Sequence, residues 1–284
     1  MITLEKILHP IKKDLLEVEN LIKKQAKTIQ ADNFIVKSFD TEQIKALSHL
    51  FTKPGKRLRP ALVLLTAQML NPRQKISKAH YKLASAIEMI HSASLVHDDI
   101  IDESDQRRTQ MSLNKKYNNT VAVLVGDLLY AQFFKIIVGI KKLTEKKRLQ
   151  LLDYLCDITQ KMCMGEIWET QVRQNQITIK KDDYLKILKY KTATLMEAAC
   201  FFGAVIAGAD DKTTRKIKEW GYNFGTAYQL IDDYIDKDNL LEIDLIGTAQ
   251  HYLNKCKVNL NSFQETLYRE SLLNLCDYLL NRAI

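Results

Sequence analysis

The chain has 284 residues, 46% of them hydrophobic, and a formal net charge of +8, so it can bury a substantial core; one domain over residues 1–284 is the expectation. Its lysines fall in short groups such as Lys12-Lys13, Lys141-Lys142 and Lys146-Lys147-Arg148, without the basic stripe and interleaved aromatics that nucleic acid binding would need. Nucleic acid is therefore not an expected partner, whereas polyanionic substrates and loose attachment to an anionic membrane suit such a surface.

Cys156, Cys163, Cys200, Cys256 and Cys276 are scattered without a CxxC and read as reduced core thiols of a cytoplasmic protein. The first residues lack the apolar core of a signal peptide. The longest uncharged apolar run, Ala198 to Ala209, falls short of the roughly 20 residues that cross a bilayer, so no membrane span is expected.

Pro10, Pro54, Pro60 and Pro72 are the only prolines, and the uninterrupted remainder reads as all-α. Leu4, Ile7, Leu8, Ile11, Leu15, Val18, Leu21, Ile22 and Ile29 recur at helical spacing and predict an amphipathic helix over 3–30, packed in the core or against a second subunit. A loop and short helix over 31–53 end at the Pro54-Gly55 turn, and a helix over about 57–70 is stopped by Asn71-Pro72. Ser77 can cap the long helix that follows. Residues 105–112 are polar and predict a loop. Helices over about 114–140 and 145–171 come next, the second capped by Thr144. One helix or a broken pair is expected over 179–208, and a helix over 211–238. Ser262-Phe263-Gln264-Glu265 has the form of a capping box opening a last helix to about residue 281.

The long helix after Ser77 carries an apolar run from Ile90 that ends in Asp98, Asp99 and Asp102. On a helix Asp98 and Asp102 share one face, with Asp99 a step round the cylinder. Stacked carboxylates repel one another and are tolerable in an apolar setting only with a cation among them; hard oxygen ligands suit Mg²⁺ bound together with a substrate phosphate. Asp232, Asp233 and Asp236 repeat the pattern after Tyr228-Gln229-Leu230-Ile231. Two such clusters embedded in apolar residues are hard to explain as solvated surface.

Further words stand in a fixed order: Gly55-Lys56-Arg57-Leu58-Arg59-Pro60, His91, the first aspartate motif, Arg107-Arg108, Gly126-Asp127, Lys191-Thr192, and Gln229 before the second motif. Together they resemble the trans-prenyltransferases, most closely the medium- and long-chain polyprenyl diphosphate synthases. The resemblance implies a single large helical bundle around a central cavity (isoprenoid synthase-like), with the two motifs facing each other across it. It implies Mg²⁺-dependent condensation of isopentenyl diphosphate with an allylic diphosphate, and a homodimer. Asp98, Asp102 and Asp232 would be the principal metal ligands with Asp236 beside them, and Asp99, Asp233 and Lys191 would join the catalytic set. Lys56, Arg59, His91 and Arg108 would hold isopentenyl diphosphate, with Arg57 next to them. Arg107, Lys191, Thr192 and Gln229 would hold the allylic partner. Charge balance agrees, because two aspartate triads and a diphosphate in one site require metal ions and strong donors.

Two other readings stay open: a non-catalytic partner subunit, and an HD-type phosphohydrolase using His91 and His97-Asp98, which leaves the basic words and the second triad unexplained. The chain also departs from the family pattern. Thr109 stands where a glycine commonly follows the arginine pair, which predicts a stiffer loop. After Asp236-Lys237-Asp238 the chain passes through Asn239 to Asp244 directly towards its last helices, where the family has a glycine-rich flap, so it is expected to be shortened or gapped after about residue 238. Ala93 and Ser94, a turn before Asp98, are small where short-chain members place an aromatic; a product longer than geranylgeranyl is expected.

Overall fold

A computed structural model describes residues 2–31, 46–47, 49–51, 55–107, 109–238 and 240–283, with the side chains of 27–31 left out of the description. Most of the segment expected as a loop and short helix over 31–53 lies outside the described residues, as does Arg108. The elements used below are α1 (Lys12–Ala31), α2 (Leu58–Leu70), α3 (Lys78–Ile101), α4 (Asn119–Val138), α5 (Glu145–Arg173), α6 (Lys181–Leu188), α7 (Thr194–Ala207), α8 (Asp211–Asp236), α9 (Leu245–Leu260) and α10 (Leu267–Asn281). Among the described residues the only strands are β1 (Gln106–Arg107) and β2 (Gln110–Met111), an antiparallel pair with Gln106 opposite Met111. The fold is all-α, and the loop expected over 105–112 is a minimal hairpin.

The helix expected over 3–30 is broken near its start. Thr3 caps a single turn, Leu4–Ile7, a 3₁₀ turn spans His9–Ile11, and only then does α1 begin. Pro10 has no N–H to donate into a helix and sits in the 3₁₀ turn, where that loss matters least. The last helix opens later than expected. Thr266 is its cap, with Oγ1 accepting from Arg269 N at 3.0 Å. The Ser262 hydroxyl instead donates to the Asn259 carbonyl at 2.9 Å, closing the end of α9.

The chain divides into two compact units. One comprises Met1–Lys12, Ala61–Ile76 and Thr144–Ile284. Here α7 packs on α8 and α8 on α9; every side chain of α7 except Glu197 and Ala207 is buried, and Trp220 stacks on Phe224 at 4.9 Å. Between α6 and α7 the residues Lys189–Ala193 form a π turn, so the expected helix or broken pair is a continuous helical path with one widened turn. The other unit comprises Lys13–Pro60 and Ser77–Leu143, with α3 packed along α4. At the start of α3, Ser77 N donates to His80 Nδ1 at 3.2 Å; burial, with Lys142 nearby, pushes the His80 imidazole down to about 4.

By length and composition α4 could cross a membrane, with a mean hydropathy of 1.9 and 39% of that window buried. A run-length reading misses it because Asp127 and Lys135 interrupt the apolar stretch. A helix that seats one side in a core passes the same test, and α4 buries Ala122, Val125, Leu129 and Phe133 in this way. Cys200, Cys256 and Cys276 are buried, but Cys156 and Cys163 on α5 are exposed, contrary to the reading of all five as core thiols.

Candidate active site

In the Lys13–Pro60 and Ser77–Leu143 unit, α3 stops at Ile101, and Asp102 caps its C-terminus with its N–H on the Asp98 carbonyl at 2.8 Å. Asp98 and Asp102 thus close the same final turn. Asp99 is buried, and Arg107 donates to its Oδ1 through Nε and Nη2, each at 2.6 Å. Burial raises the Asp99 carboxyl above its ordinary range, and Arg107 pulls it back. Asn114 ties the Asp99 carbonyl to the following loop at 3.1 Å. Arg107 comes from β1, and the hairpin turn beyond it holds Thr109 at φ +62°, a left-handed conformation that a glycine adopts freely and a β-branched residue holds at a cost of about 1–3 kcal/mol.

The glycine-turn cations divide. Arg57, expected beside the substrate donors, is buried between two carboxylates, with Nε 2.7 Å from Glu19 of α1 and Nη1 in a short contact with Glu88 of α3. It ties the turn to both helices and also lines the pocket beside Asp99. Arg59 Nη1 donates to His91 Nε2 at 3.0 Å, which joins two residues that the sequence assigned to one substrate. Lys56 is exposed. His97 lies against α4 instead, 3.3 Å from the Val123 carbonyl and stacked on Tyr130. The two histidines therefore serve different neighbours, and the phosphohydrolase reading loses its ligand pair. A small pocket of about 40 Å³ lies beside Asp99 and is lined by Arg57, Ser92, Leu95, Arg107 and Met111. Ala93 is fully buried, and Ser94 turns its hydroxyl onto the His91 carbonyl at 3.0 Å; neither lines this pocket.

In the unit that contains Thr144–Ile284, α8 ends at Asp236 with Lys237 at φ +54°. Asp233 is buried and accepts from the Tyr184 hydroxyl in a short contact and from Gln229 Nε2 at 2.7 Å. Gln229 in turn accepts from Thr192 Oγ1 at 2.6 Å. Burial pushes the Asp233 carboxyl up to about 6 despite both donors, and burial with Asp233 alongside raises the Tyr184 hydroxyl. Asp232 faces Arg282, whose Nη2 is 2.8 Å from Oδ1. Asp236 is exposed.

Lys191 projects from the π turn to Glu166 at 3.1 Å and Glu169 at 2.9 Å. These carboxylates outweigh its burial and hold the ammonium well above the ordinary lysine value. Gly165 allows α5 to come this close, because a Cβ there would lie 2.7 Å from Lys191 N. Arg173 bridges Glu169 to Asp238, with both Asp238 contacts within 2.9 Å, and so secures the residue that follows the second motif. Tyr184, Glu166, Glu169, Arg173 and Arg282 were not singled out in the sequence. Glu166 and Glu169 carried a signal, an acidic pair three residues apart in an otherwise apolar stretch beside Gly165; the others carried none.

The two motifs share one arrangement. The second aspartate of each, Asp99 or Asp233, is buried and anchored by its own chain, and the outer carboxylates close the final helix turn. Among the described residues no three His, Cys, Asp or Glu side chains converge into a metal-binding group.

A family model, Polyprenyl synthetase, matches residues 41–239. The chain belongs to the polyprenyl synthetase family. It is 34% identical over 236 residues to a prenyl transferase of Porphyra purpurea, covering 83% of this chain and 68% of the relative. It is 32% identical over 198 residues to octaprenyl diphosphate synthase of Escherichia coli, covering 69% and 58% respectively. The match thus spans only 58–68% of these relatives' length. A polyprenyl synthase from Caulobacter crescentus, solved with calcium and isoprenyl diphosphate, superposes with a TM-score of 0.81 at 25% identity over 99% of this chain and 98% of that one. The all-helical fold is that of the isoprenoid synthases. The family match ends at residue 239.

Proposed function

We propose that the protein is a prenyltransferase that condenses isopentenyl diphosphate with an allylic diphosphate to give a medium- or long-chain all-trans polyprenyl diphosphate, with residues 1–284 acting as one synthase domain. The observation that carries this reading is the shared anchoring of Asp99 and Asp233, which fixes each motif with Asp98, Asp102, Asp232 and Asp236 in the final helix turns. Those four would hold Mg²⁺. When bound, the ion would supply positive charge against the leaving diphosphate.

The allylic carbon–oxygen bond breaks with its electron pair going to the diphosphate, the double bond of isopentenyl diphosphate forms the new carbon–carbon bond, and a proton is lost. Lys56, Arg59, His91 and Arg108 hold isopentenyl diphosphate, and the Arg59–His91 contact supports placing two of them together. Lys191, Thr192, Gln229 and Arg107 attend the allylic diphosphate. Lys191 is kept charged by Glu166 and Glu169, so its positive charge is in place before negative charge develops on the leaving group.

A cytoplasmic homodimer completes the reading, with loose membrane contact for product release. Val123, Leu124, Leu128, Phe134 and Val138 leave an exposed apolar side on α4, which supports burial against a second copy. Light scattering at micromolar concentration tests this by returning about twice the monomer mass. Asp98→Ala and Asp232→Ala test the chemistry: each should abolish turnover in a folded chain, and activity retained in either would reject the assigned ligands.

A further inference from the structure

The guanidinium of Arg282 occupies the carboxylate that the proposed function gives to a metal ion. Arg282 caps the C-terminus of α10, and its Nη2 donates to Asp232 Oδ1 at 2.8 Å. The guanidinium also lies over the Tyr228 ring, 5.4 Å from its centroid. Tyr228 precedes Asp232 by four residues on α8, so ring and carboxylate lie on one face and form a two-point seat. The ion pair is partly shielded, with side-chain exposures of 20% and 24%. The other nitrogen, Nη1, is buried and finds no hydrogen-bond partner among the described residues. A buried N–H without an acceptor is costly in a resting protein and is explained when a ligand supplies the acceptor.

A second cation on a metal-ligating carboxylate competes with the metal, because both draw on the same charge. A guanidinium displaced from a carboxylate is also well shaped to take phosphate oxygens, which it grips in bidentate fashion. Tyr228 would hold the planar group nearby while its partner changes.

We propose that Arg282 is the exchangeable counter-cation of the second motif: it neutralises Asp232 in the free protein, yields that carboxylate to a divalent ion, and then donates to the diphosphate that arrives with the ion. This rests on Asp232 being a metal ligand. The exchange weakens binding of metal alone and strengthens binding of diphosphate once metal is present.

The test titrates the full-length chain with Mn²⁺ alone, reading free Mn²⁺ by electron paramagnetic resonance, and then with inorganic diphosphate at saturating Mn²⁺ by calorimetry. Relative to wild type, Arg282→Gln should bind Mn²⁺ about fivefold more tightly at the Asp232 site and diphosphate about fivefold more weakly, the size expected for loss of one partly exposed charge pair. Arg282→Lys keeps the charge and loses the fork, so it should hold Mn²⁺ affinity near wild type and still lose diphosphate affinity. Unchanged Mn²⁺ affinity in Arg282→Gln, or unchanged diphosphate affinity in both variants, would overturn the exchange. Asp232→Ala separates the two levels. If it weakens Mn²⁺ binding while Arg282→Gln does not alter it, the exchange alone fails; if it leaves Mn²⁺ binding intact, the ligand assignment fails and the exchange with it.

Discussion

His97 fills the space that any side chain at position 126 would need: a Cβ on Gly126 would lie 2.1 Å from the His97 Nε2. Gly126 is thus explained by packing of α3 against α4. Gly126→Ala should drive the half-exposed His97 ring off the Val123 carbonyl and Tyr130, costing about 0.5–1.5 kcal/mol as the ring leaves its rotamer. Melting of the double variant Gly126→Ala/His97→Ala should recover most of that loss, because the clash is then absent. Equal melting temperatures for wild type and Gly126→Ala would discard this contact as the cause.

Arg57 and Arg59 stand two residues apart and should fail differently. Arg57→Met leaves the buried Glu88 without its cation and Glu19 with only Lys23 at 3.5 Å, and urea unfolding should show a loss of about 3 kcal/mol. Arg59→Gln loses one half-buried hydrogen bond to His91, so it should cost about 0.5–1.5 kcal/mol, and it should raise KM for isopentenyl diphosphate. A stable Arg57→Met variant with only a raised KM would return Arg57 to the substrate site.

His80 gives stability a pH dependence. Its imidazole sits at about 4 in the folded chain against an ordinary 6.5, so below pH 6.5 the unfolded chain takes up the proton first and stability falls progressively until about pH 4. Asp233 opposes this. Raised from 3.8 to about 6, its carboxyl binds a proton first in the folded chain, and that contribution is lost as pH rises through about 6. His80→Gln keeps an acceptor suited to the Ser77 capping box and removes only the first titration. Between about pH 7 and pH 5, wild type should therefore lose more melting temperature than His80→Gln; parallel curves would exclude His80 as the source.

The legible parts of the chain were those fixed by local rules. Proline placement and helical spacing gave the all-α class, Thr144 capped α5 as expected, and the four-residue step put Asp98 and Asp102 on one turn. At Pro10 and Ser262 two local preferences compete: helical spacing against a missing N–H, and one serine against a nearby threonine cap. The site's supports were out of reach for a different reason. Tyr184 bonds Asp233 across 49 positions and Arg282 bonds Asp232 across 50, and no spacing rule links residues that only tertiary packing brings together. Arg57 is a further case, a basic residue in a substrate-like word whose carboxylate partners on α1 and α3 lie 38 and 31 positions away.

Product length can be probed at the end of α3. Ser94→Phe should shorten the product if the growing chain runs past this turn, because position 94 is only half-buried and can turn a ring outward from its helix. Ala93→Phe should do the same but lose about 1–3 kcal/mol or more, since Ala93 has no exposed surface to accommodate the ring. Product length is read by chromatography of the dephosphorylated alcohols. Unchanged length in folded Ser94→Phe would place the wall of the tunnel on another helix.

Incubation of the full-length chain with radiolabelled isopentenyl diphosphate, a farnesyl or geranylgeranyl diphosphate primer and Mg²⁺, followed by butanol extraction, tests the central claim most directly. The account predicts Mg²⁺-dependent incorporation into products longer than geranylgeranyl diphosphate, abolished by a chelator and by Asp98→Ala. No incorporation by the folded chain, with any primer and with Mg²⁺ present, would contradict it.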